Sequence, residues 1–347
     1  MLANPKAVRA ALAGRAKTDR IDARTLVGLL ASGFLAEVWT PDEATRARRR
    51  LTARRGQLVR QRTREKNQVH AVLHRRLIAR PPVSDLFGAE GRRWLAGLEL
   101  PADERLSLEG GPRQIDLLEA EIEAVEAVAG QVLASAEMRR LLTIPGVNAV
   151  TACALVAAIG DVERFATPAQ LVAYLGLDPR VRQSGSEPAR HGRISKQGPG
   201  YARHLLVEAA WHLARTTGPL RAFHARVRAR RGANIATVAV ARKLAVIAWH
   251  MLRRGEDYAF ARPSLTRQKL RRLELLTGAE RRQGRRHAER VFAPPAQHEA
   301  ERELAAQAEV AYLRLMSDWH PKPKAGAGAT RGRVKTPSSR RGSAADL

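Results

Sequence analysis

Two aspartates near the start of the chain, Asp19 and Asp22, have the spacing of a divalent-metal site. They lie three residues apart in a segment with helical periodicity, so both carboxylates would project from one helix face about one turn apart. Mg²⁺ and Mn²⁺ prefer oxygen ligands of this kind. In the structural alternative, Asp19 caps the helix and Asp22 pairs with a nearby arginine. Spacing alone favours this second interpretation.

A glycine- and arginine-rich segment, residues 176–200, is a second place where chemistry could occur. Ser184 precedes a glycine in an expected loop, so its hydroxyl could approach a phosphodiester once activated; Ser186 is the fallback nucleophile. Four cations of this segment could hold a phosphate and stabilise the charge that develops on it: Arg182, Arg190, Arg193 and Lys196. The alternative is a flexible basic loop that contacts phosphates without chemistry.

A third candidate is the Ile-Pro-Gly-Val turn at residues 144–147, which stands between two predicted helices. Such a turn can present backbone amides at a helix start to a nucleic-acid phosphate. Proline and glycine are also the usual residues of a tight helix connection. The sequence leaves both interpretations open.

The charge of the chain indicates its class of partner. Lysine and arginine number 61 against 34 acidic residues, a net charge of +27. Nucleic acid is the leading partner because each neutralised phosphate releases counterions. An anionic membrane is the competing polyanion, but Arg242 and Lys243 interrupt the most apolar stretch, 235–252. Without a signal-peptide pattern at the start, the sequence predicts a cytoplasmic protein with no membrane partner.

The single cysteine, Cys153, lies in an apolar run and is predicted to be a core residue. One cysteine excludes an internal disulfide and a cysteine-based zinc site.

Apolar spacing predicts a mainly α fold. Residues 18–31 form an amphipathic helix, and 41–80 a long basic helix. Prolines and glycines within 81–112 predict a loop, and 115–142 is a second long helix with an apolar seam. The two long helices form either an antiparallel hairpin or a dimerising coiled coil. Four arm cations are predicted to bind nucleic acid: Arg54, Arg55, Arg62 and Lys66.

A compact helical domain is predicted from residue 143 to 261. Its helices cover 149–159, a short stretch around 165–175, 201–215 and 233–253. Residues 262–321 follow as a charged helical extension. The remaining 322–347 are rich in glycine, serine, proline and basic residues, which predicts a disordered tail.

Six motifs occur in the order of one known family. They are Asn4-Pro5, the segment 17–24 (KTDRIDAR), Arg64-Glu65-Lys66-Asn67, the turn at 144–147, Tyr174-Leu175-Gly176-Leu177 and the segment 192–198 (GRISKQG). Together they resemble the insertion-sequence transposases of the IS110/IS116/IS902 type over roughly residues 1–260. The single motifs are weak, but six in register are specific.

The resemblance implies a RuvC-like domain of RNase-H fold with a four-carboxylate DEDD metal site, which residues 1–40 would end. A coiled-coil arm (41–142) and a helical transposase domain with an active-site serine (143–261) would follow. It further implies a structured bridge RNA that selects DNA, a covalent phosphoserine intermediate and a homo-oligomer. Carried over by position, Asp19 and Asp22 match the last two metal carboxylates, and Ser184 matches the serine.

The sequence departs from this family at its beginning. The first Asp and the Glu of the metal site should precede Asn4, where only Met1, Leu2 and Ala3 stand. Most of the RuvC-like sheet is therefore expected to be missing, and the chain is expected to be inactive alone. The alternative function is a non-catalytic nucleic-acid-binding remnant of a decayed transposase.

Overall fold

A computed structural model describes residues 2–5, 8–9, 18–35, 37–79, 81–133, 135–184, 188–280 and 294–318. The predicted tail 322–347 lies outside this part. The predicted mainly α fold is confirmed: the described residues hold twelve helices and one two-stranded sheet. In chain order they are α1 (Asp19–Ala31), α2 (Glu43–Arg75), α3 (Ala89–Ala96), α4 (Ala102–Leu133), α5 (Ala136–Leu142), α6 (Ala149–Ile159), α7 (Pro168–Tyr174), β1 (Pro179–Arg182), β2 (Arg190–Ile194), α8 (Gly200–Leu213), α9 (Pro219–Arg231), α10 (Ala233–Arg254), α11 (Pro263–Leu276) and α12 (Pro295–Asp318).

The predicted antiparallel arm is present as a pairing of α2 with α4 inside one chain. Ion pairs join the two helices in opposite sequence order, as antiparallel helices require: Arg54 with Glu121, Arg62 with Glu119 and Arg75 with Glu104. Apolar residues of the expected seams are buried between the helices, namely Leu58, Val69, Val72, Leu73, Ile115 and Ile122. The apolar residues that would form the interface of a dimerising coiled coil are therefore already buried within one chain, by the antiparallel hairpin of α2 and α4.

The predicted loop over 81–112 was wrong at its end, because α4 begins at Ala102 and includes Pro112. Gly111 is buried, and a Cβ there would lie 2.6 Å from the Val69 side chain. The glycine therefore permits close approach of the two arm helices rather than breaking one. A short helix that the sequence analysis missed, α3, packs Leu95 with Leu73 and Leu86 at the tip of the arm.

The second long helix, predicted over 115–142, also differs, because it is divided into α4 and α5. The Ser135 side chain accepts a hydrogen bond from the Met138 backbone N–H at 3.4 Å and so caps a new helix. This division turns the chain from the arm into the C-terminal domain.

One apolar core unites α5 to α10, with Leu142, Leu171 and Leu206 fully buried. At its centre, α10 buries Val240, Leu244 and other residues of one face. By length and composition α10 alone among the described helices could cross a membrane, which corrects the expectation that no stretch qualifies. Half of its most apolar window is buried against the other helices, as in a core helix. Cys153 is buried in this core, as predicted.

The region beyond residue 200 contains one more helix than predicted, α9. Its sequence carries five arginines in thirteen residues and buries only Leu220, Ala222 and His224, so its apolar periodicity is weak. The described part of the predicted charged extension, 262–321, contains the helices α11 and α12. Their contact is polar: the Glu301 carboxylate accepts from the backbone N–H and the hydroxyl of Ser264.

The N-terminal helix α1 has no buried residue. Thr18 caps it by accepting from the Ile21 backbone N–H at 3.3 Å, so the alternative in which Asp19 caps it was wrong. The segment after α1 reaches the C-terminal domain through the Trp39 ring, whose centroid lies 4.2 Å from the Arg164 guanidinium carbon.

Candidate nucleic-acid interface

The segment that carries Ser184 is a β-hairpin, where the sequence predicted a loop over the whole of 176–200. β1 pairs antiparallel with β2, with a register shift between Pro179 and Val181. The loop prediction was wrong because β1 exposes nearly every side chain and so lacks apolar alternation. Ser184 lies two residues beyond β1 and is exposed, whereas Ser186 lies outside the described residues.

A serine and an aspartate lock the base of the hairpin. The Ser195 hydroxyl donates to a carboxylate oxygen of Asp178 at 2.7 Å, and the Ser195 backbone N–H donates to the Asp178 carbonyl at 2.8 Å. Arg180 adds a hydrogen bond from Nη2 to the Ser195 carbonyl at 3.3 Å. The serine of the Gly-Arg-Ile-Ser motif therefore has a structural partner and is not a free hydroxyl.

Two glycines bring the ends of the hairpin together. Gly176 and Gly198 have φ values of +67° and +71°, which favour glycine. A Cβ on Gly198 would lie 2.0 Å from the Tyr174 carbonyl oxygen, and one on Gly176 would lie 2.3 Å from the Gln197 carbonyl oxygen. The motifs at 174–177 and 192–198 are therefore two halves of one tight junction.

Arg203 of α8 stabilises this junction by hydrogen bonds to both of its sides. Its Nη1 donates to the carbonyls of Leu175 at 2.9 Å and Gln197 at 2.8 Å. Burial lowers the pKa of Arg203. Sequence reasoning missed this role, because Arg203 follows the last motif and resembles any other helix cation.

The predicted hairpin cations lie at both ends of the hairpin: Arg182 and Arg190 are at the end that carries Ser184, whereas the Lys196 backbone N–H donates to the Gly176 carbonyl at the base. Arg182 stands opposite Arg190 in the two-stranded sheet, and Arg193 and Lys196 are exposed. The arrangement presents positive charge on both strands beside an exposed hydroxyl, and its chemistry suits a phosphodiester.

The four arm cations that were predicted to bind nucleic acid each form an ion pair with a carboxylate of α4. Arg54 pairs with Glu121 at 3.5 Å, while Arg62 and Lys66 share Glu119 at 3.4 and 4.0 Å. These cations bind α4 in the described structure and leave less charge for a phosphate. Within the described part, Arg60 and Arg64 are exposed arm cations without an ion pair, and the sequence analysis left them out of the site.

Arg55 joins the arm to the C-terminal domain. It donates from Nε to Glu126 at 2.6 Å and from Nη1 to the Tyr201 hydroxyl at 2.7 Å. The Arg55 and Glu126 side chains are only 19% and 20% exposed. Glu126 and Tyr201 help to raise the Arg55 pKa against the lowering effect of burial. These contacts link α2 to α4 and α8, and the predicted role of Arg55 in nucleic-acid binding stays a prediction.

Asp19 and Asp22 lie in the first turn of α1, with Asp19 exposed and Asp22 half-buried. Within the described residues no group of three or more His, Cys, Asp or Glu side chains is arranged to hold a metal ion. Two carboxylates alone do not fit a resident Mg²⁺ or Mn²⁺, which needs a larger set of oxygen ligands.

The turn at 144–147 is packed into the core. Ile144 and Val147 are each 1% exposed, and a Cβ on Gly146 would lie 2.8 Å from the Ala209 carbonyl oxygen. Lys269 of α11 donates to the carbonyls of Leu142 at 2.9 Å and Ile144 at 2.6 Å. The tight-connection interpretation is the one this geometry supports. Burial lowers the pKa of Lys269 to about 7.

Comparison with known proteins agrees with these motifs. The family model described as "Transposase IS116/IS110/IS902 family" matches residues 138–225, which hold α5 to α8 and the hairpin. A second transposase model, of the DEDD type of IS110, matches residues 2–77.

Individual relatives extend the match. The transposase of IS1328 from Yersinia enterocolitica is 30% identical over 258 residues, which cover 70% of this chain and 74% of the relative. The transposase of IS1111A from Coxiella burnetii is 37% identical over 140 residues, 39% of this chain and 37% of the relative. The y4qE protein of Sinorhizobium fredii is 33% identical over 199 residues, 57% of this chain and 48% of the relative.

The chain therefore spans about half of y4qE and less of the IS1111A transposase, but about three quarters of the IS1328 transposase. The matched ranges contain α1 at one end and the Ser184 hairpin at the other. The chain belongs to the IS110/IS116/IS902 family of insertion-sequence transposases.

Proposed function

We propose that the protein binds DNA and structured RNA and takes part in strand transfer, with Ser184 as the nucleophile. The observation that carries the proposal is the hairpin, which exposes Ser184 two residues beyond Arg182, the residue paired with Arg190. Guidance by an RNA of the element and assembly of several copies are parts of this proposal that come from the family resemblance. A cytoplasmic location remains a prediction.

In the proposed step, the Ser184 oxygen attacks a scissile phosphorus. A bond from serine oxygen to phosphorus forms, and the bond from phosphorus to one deoxyribose oxygen breaks. The serine proton goes to solvent or to a base, and the leaving oxygen takes up a proton. The hairpin arginines would stabilise the negative charge on the phosphoryl oxygens.

The proposal includes a divalent metal, for which the described residues supply only part of the ligands. Asp19 and Asp22 would contribute two oxygen ligands of a four-carboxylate site, and a bound Mg²⁺ or Mn²⁺ would polarise the phosphate. The described residues do not complete such a site. We therefore expect residues 1–347 alone to form no covalent adduct with DNA.

The test of nucleic-acid binding is its salt dependence. Affinity for a 30-base-pair duplex, measured by fluorescence anisotropy between 50 and 300 mM salt, should fall steeply with salt because counterions are released. A log–log slope near zero would contradict the proposal.

The test of the nucleophile is the covalent adduct on an element end, resolved on a denaturing gel after protease treatment. In a preparation whose carboxylate set has been completed, Ser184→Ala should abolish the adduct and leave duplex affinity within about twofold, since no charge is removed. Ser107→Ala, in the arm, is the matched control and should retain the adduct. An adduct that persists in Ser184→Ala and disappears in Ser186→Ala would move the nucleophile by two residues.

A second candidate function is nucleic-acid binding without catalysis, which the incomplete carboxylate set favours. The two candidates differ in one experiment. If a preparation supplied with two further metal-binding carboxylates yields an adduct, the transferase function stands; if salt-dependent binding occurs and no adduct ever forms, the binding function replaces it.

A further inference from the structure

The C-terminal helix α12 lies against the most basic helix of the domain, α9. The α9 sequence holds five arginines and no acidic residue. The α12 sequence holds five acidic residues and two arginines, a net charge of 2 − 5 = −3. An acidic helix on a basic one covers surface that would otherwise attract a polyanion.

One carboxylate of α12 is bound as an anion at the start of α9. Glu309 accepts from the Gly218 backbone N–H at 2.9 Å. It also accepts from the guanidinium of Arg221, at 3.0 and 3.1 Å from Nε and 2.9 Å from Nη2. The Glu309 side chain is 16% exposed and that of Arg221 is 41% exposed, so the carboxylate is shielded while the guanidinium is accessible from solvent.

The groups around Glu309 are those that recognise a phosphodiester. A backbone N–H at a helix start and the planar fork of an arginine both bind phosphate oxygens. One turn further along α9, Arg226 lies under Tyr312 of α12, 5.9 Å from the ring centroid, and its buried Nε has no hydrogen-bond partner. A second guanidinium with an unused donor therefore lies beneath the same helix.

We propose that Gly218 and Arg221 form a phosphate site for the nucleic-acid backbone, and that Glu309 occupies this site until nucleic acid displaces α12. The inference rests on the nucleic-acid binding proposed above. It adds a contact surface on α9 and a competing anion supplied by the protein itself.

The way in which α12 is attached suits a displaceable element. Its inner face is fixed by two carboxylates, Glu309 on α9 and Glu301 on Ser264 of α11. Its outer face leaves Leu304 and Leu315 64% and 62% exposed. The anchor on α9 is an ion pair, which salt and a competing anion weaken.

The test compares charge-matched variants of the full chain. Glu309→Gln removes the bound carboxylate, and Glu303→Gln removes the same charge from an exposed position of the same helix. Duplex affinity should rise about threefold more in Glu309→Gln than in Glu303→Gln, and the salt slope should steepen by about one phosphate contact. Adding Arg221→Ala to Glu309→Gln should remove that gain.

Hydrogen exchange of residues 295–318, followed by mass spectrometry, shows whether α12 is displaced. The 30-base-pair duplex should accelerate exchange there in the wild-type chain. Inorganic phosphate at the same ionic strength should not; equal acceleration by phosphate would overturn the assignment to a nucleic-acid backbone. Arg221→Ala alone should also release α12 but without steeper salt dependence, because the phosphate contact is lost with the arginine.

The failure of this inference is distinct from the failure of the proposed function. If no variant binds duplex at low salt, nucleic-acid binding itself is refuted. If binding is intact but Glu309→Gln and Glu303→Gln gain equally, or if the duplex leaves α12 exchange unchanged, the Gly218–Arg221 site is refuted and α12 is an ordinary part of the fold.

Discussion

Helix α1 and the C-terminal domain are formed in opposite ways. The domain from α5 to α10 buries whole helix faces in one core, whereas α1 buries no residue and exposes Leu30 and, just beyond its end, Phe34. Both have good local signals, since Thr18 caps α1 and Asn148 caps α6. Local signals start a helix, but tertiary burial supplies most of its stability. The hairpin therefore rests on a rigid body, while the two aspartates lie on a helix with little support.

The largest expected effect comes from removing core volume. Leu206→Ala, at a fully buried position of α8, should lower the free energy of unfolding by about 3 kcal/mol because it leaves a cavity. Leu30→Ala, at a 55% exposed position of α1, should change it by less than about 0.5 kcal/mol. Urea unfolding followed by intrinsic tryptophan fluorescence measures both, and equal losses would show that α1 unfolds cooperatively with the core.

A pair of glycines sharpens the comparison. Gly198→Ala should destabilise the domain by about 2 kcal/mol, because φ is +71° and the new Cβ would meet the Tyr174 carbonyl. Gly28→Ala in α1 meets no heavy atom of the described structure within 4 Å and should raise helix content, by about 1 kcal/mol of local propensity. Circular dichroism and urea unfolding distinguish the two. A neutral Gly198→Ala would contradict the tight junction beneath the hairpin.

The sequence predicted the elements whose apolar residues recur every three or four positions, such as α2 and α10. It failed where burial is slight or packing overrides local preference. Helix α9 was missed because arginines occupy most of its surface, and the glycines before Pro112 suggested a break although Gly111 lets α2 approach. Tertiary contacts explain both failures, and a single sequence does not display them.

The residues of the candidate site also fall into two groups, those that the sequence predicted and those that only the folded chain shows. The exposure of Ser184 followed from its place before a glycine, and the structure agrees. The pairing of Arg62 with Glu119 was partly foreseeable, since antiparallel helices of opposite charge must pair. The roles of Arg203 and Lys269 depend on carbonyls that only the folded chain brings together.

A smaller effect should appear as a pH dependence of the core domain. Burial lowers the pKa of Lys269 to about 7, below its value of 10.5 in an unfolded chain. Between these values the unfolded state binds more protons, so the free energy of unfolding should rise from pH 7 to pH 9, by up to about 2 kcal/mol. The neutral amine still donates to both carbonyls. Lys269→Met should remove this rise while leaving other titrations in place, and an unchanged pH profile would contradict it.

The smallest expected effect comes from removing the helix N-caps of the two regions, Asn148 of α6 and Thr18 of α1. The Asn148 side chain accepts from the Thr151 backbone N–H at 2.9 Å, so Asn148→Ala should lower the free energy of unfolding by about 1 kcal/mol. Thr18→Ala removes an equivalent cap from α1, where the hydrogen bond is longer at 3.3 Å. Because α1 has no buried residue, we expect this loss to fray α1 without moving the global urea midpoint. Hydrogen exchange of residues 19–31 should become faster in Thr18→Ala, while exchange of residues 149–159 stays constant. If Thr18→Ala instead shifts the global midpoint as far as Asn148→Ala does, α1 is coupled to the core and the division between the two regions is wrong.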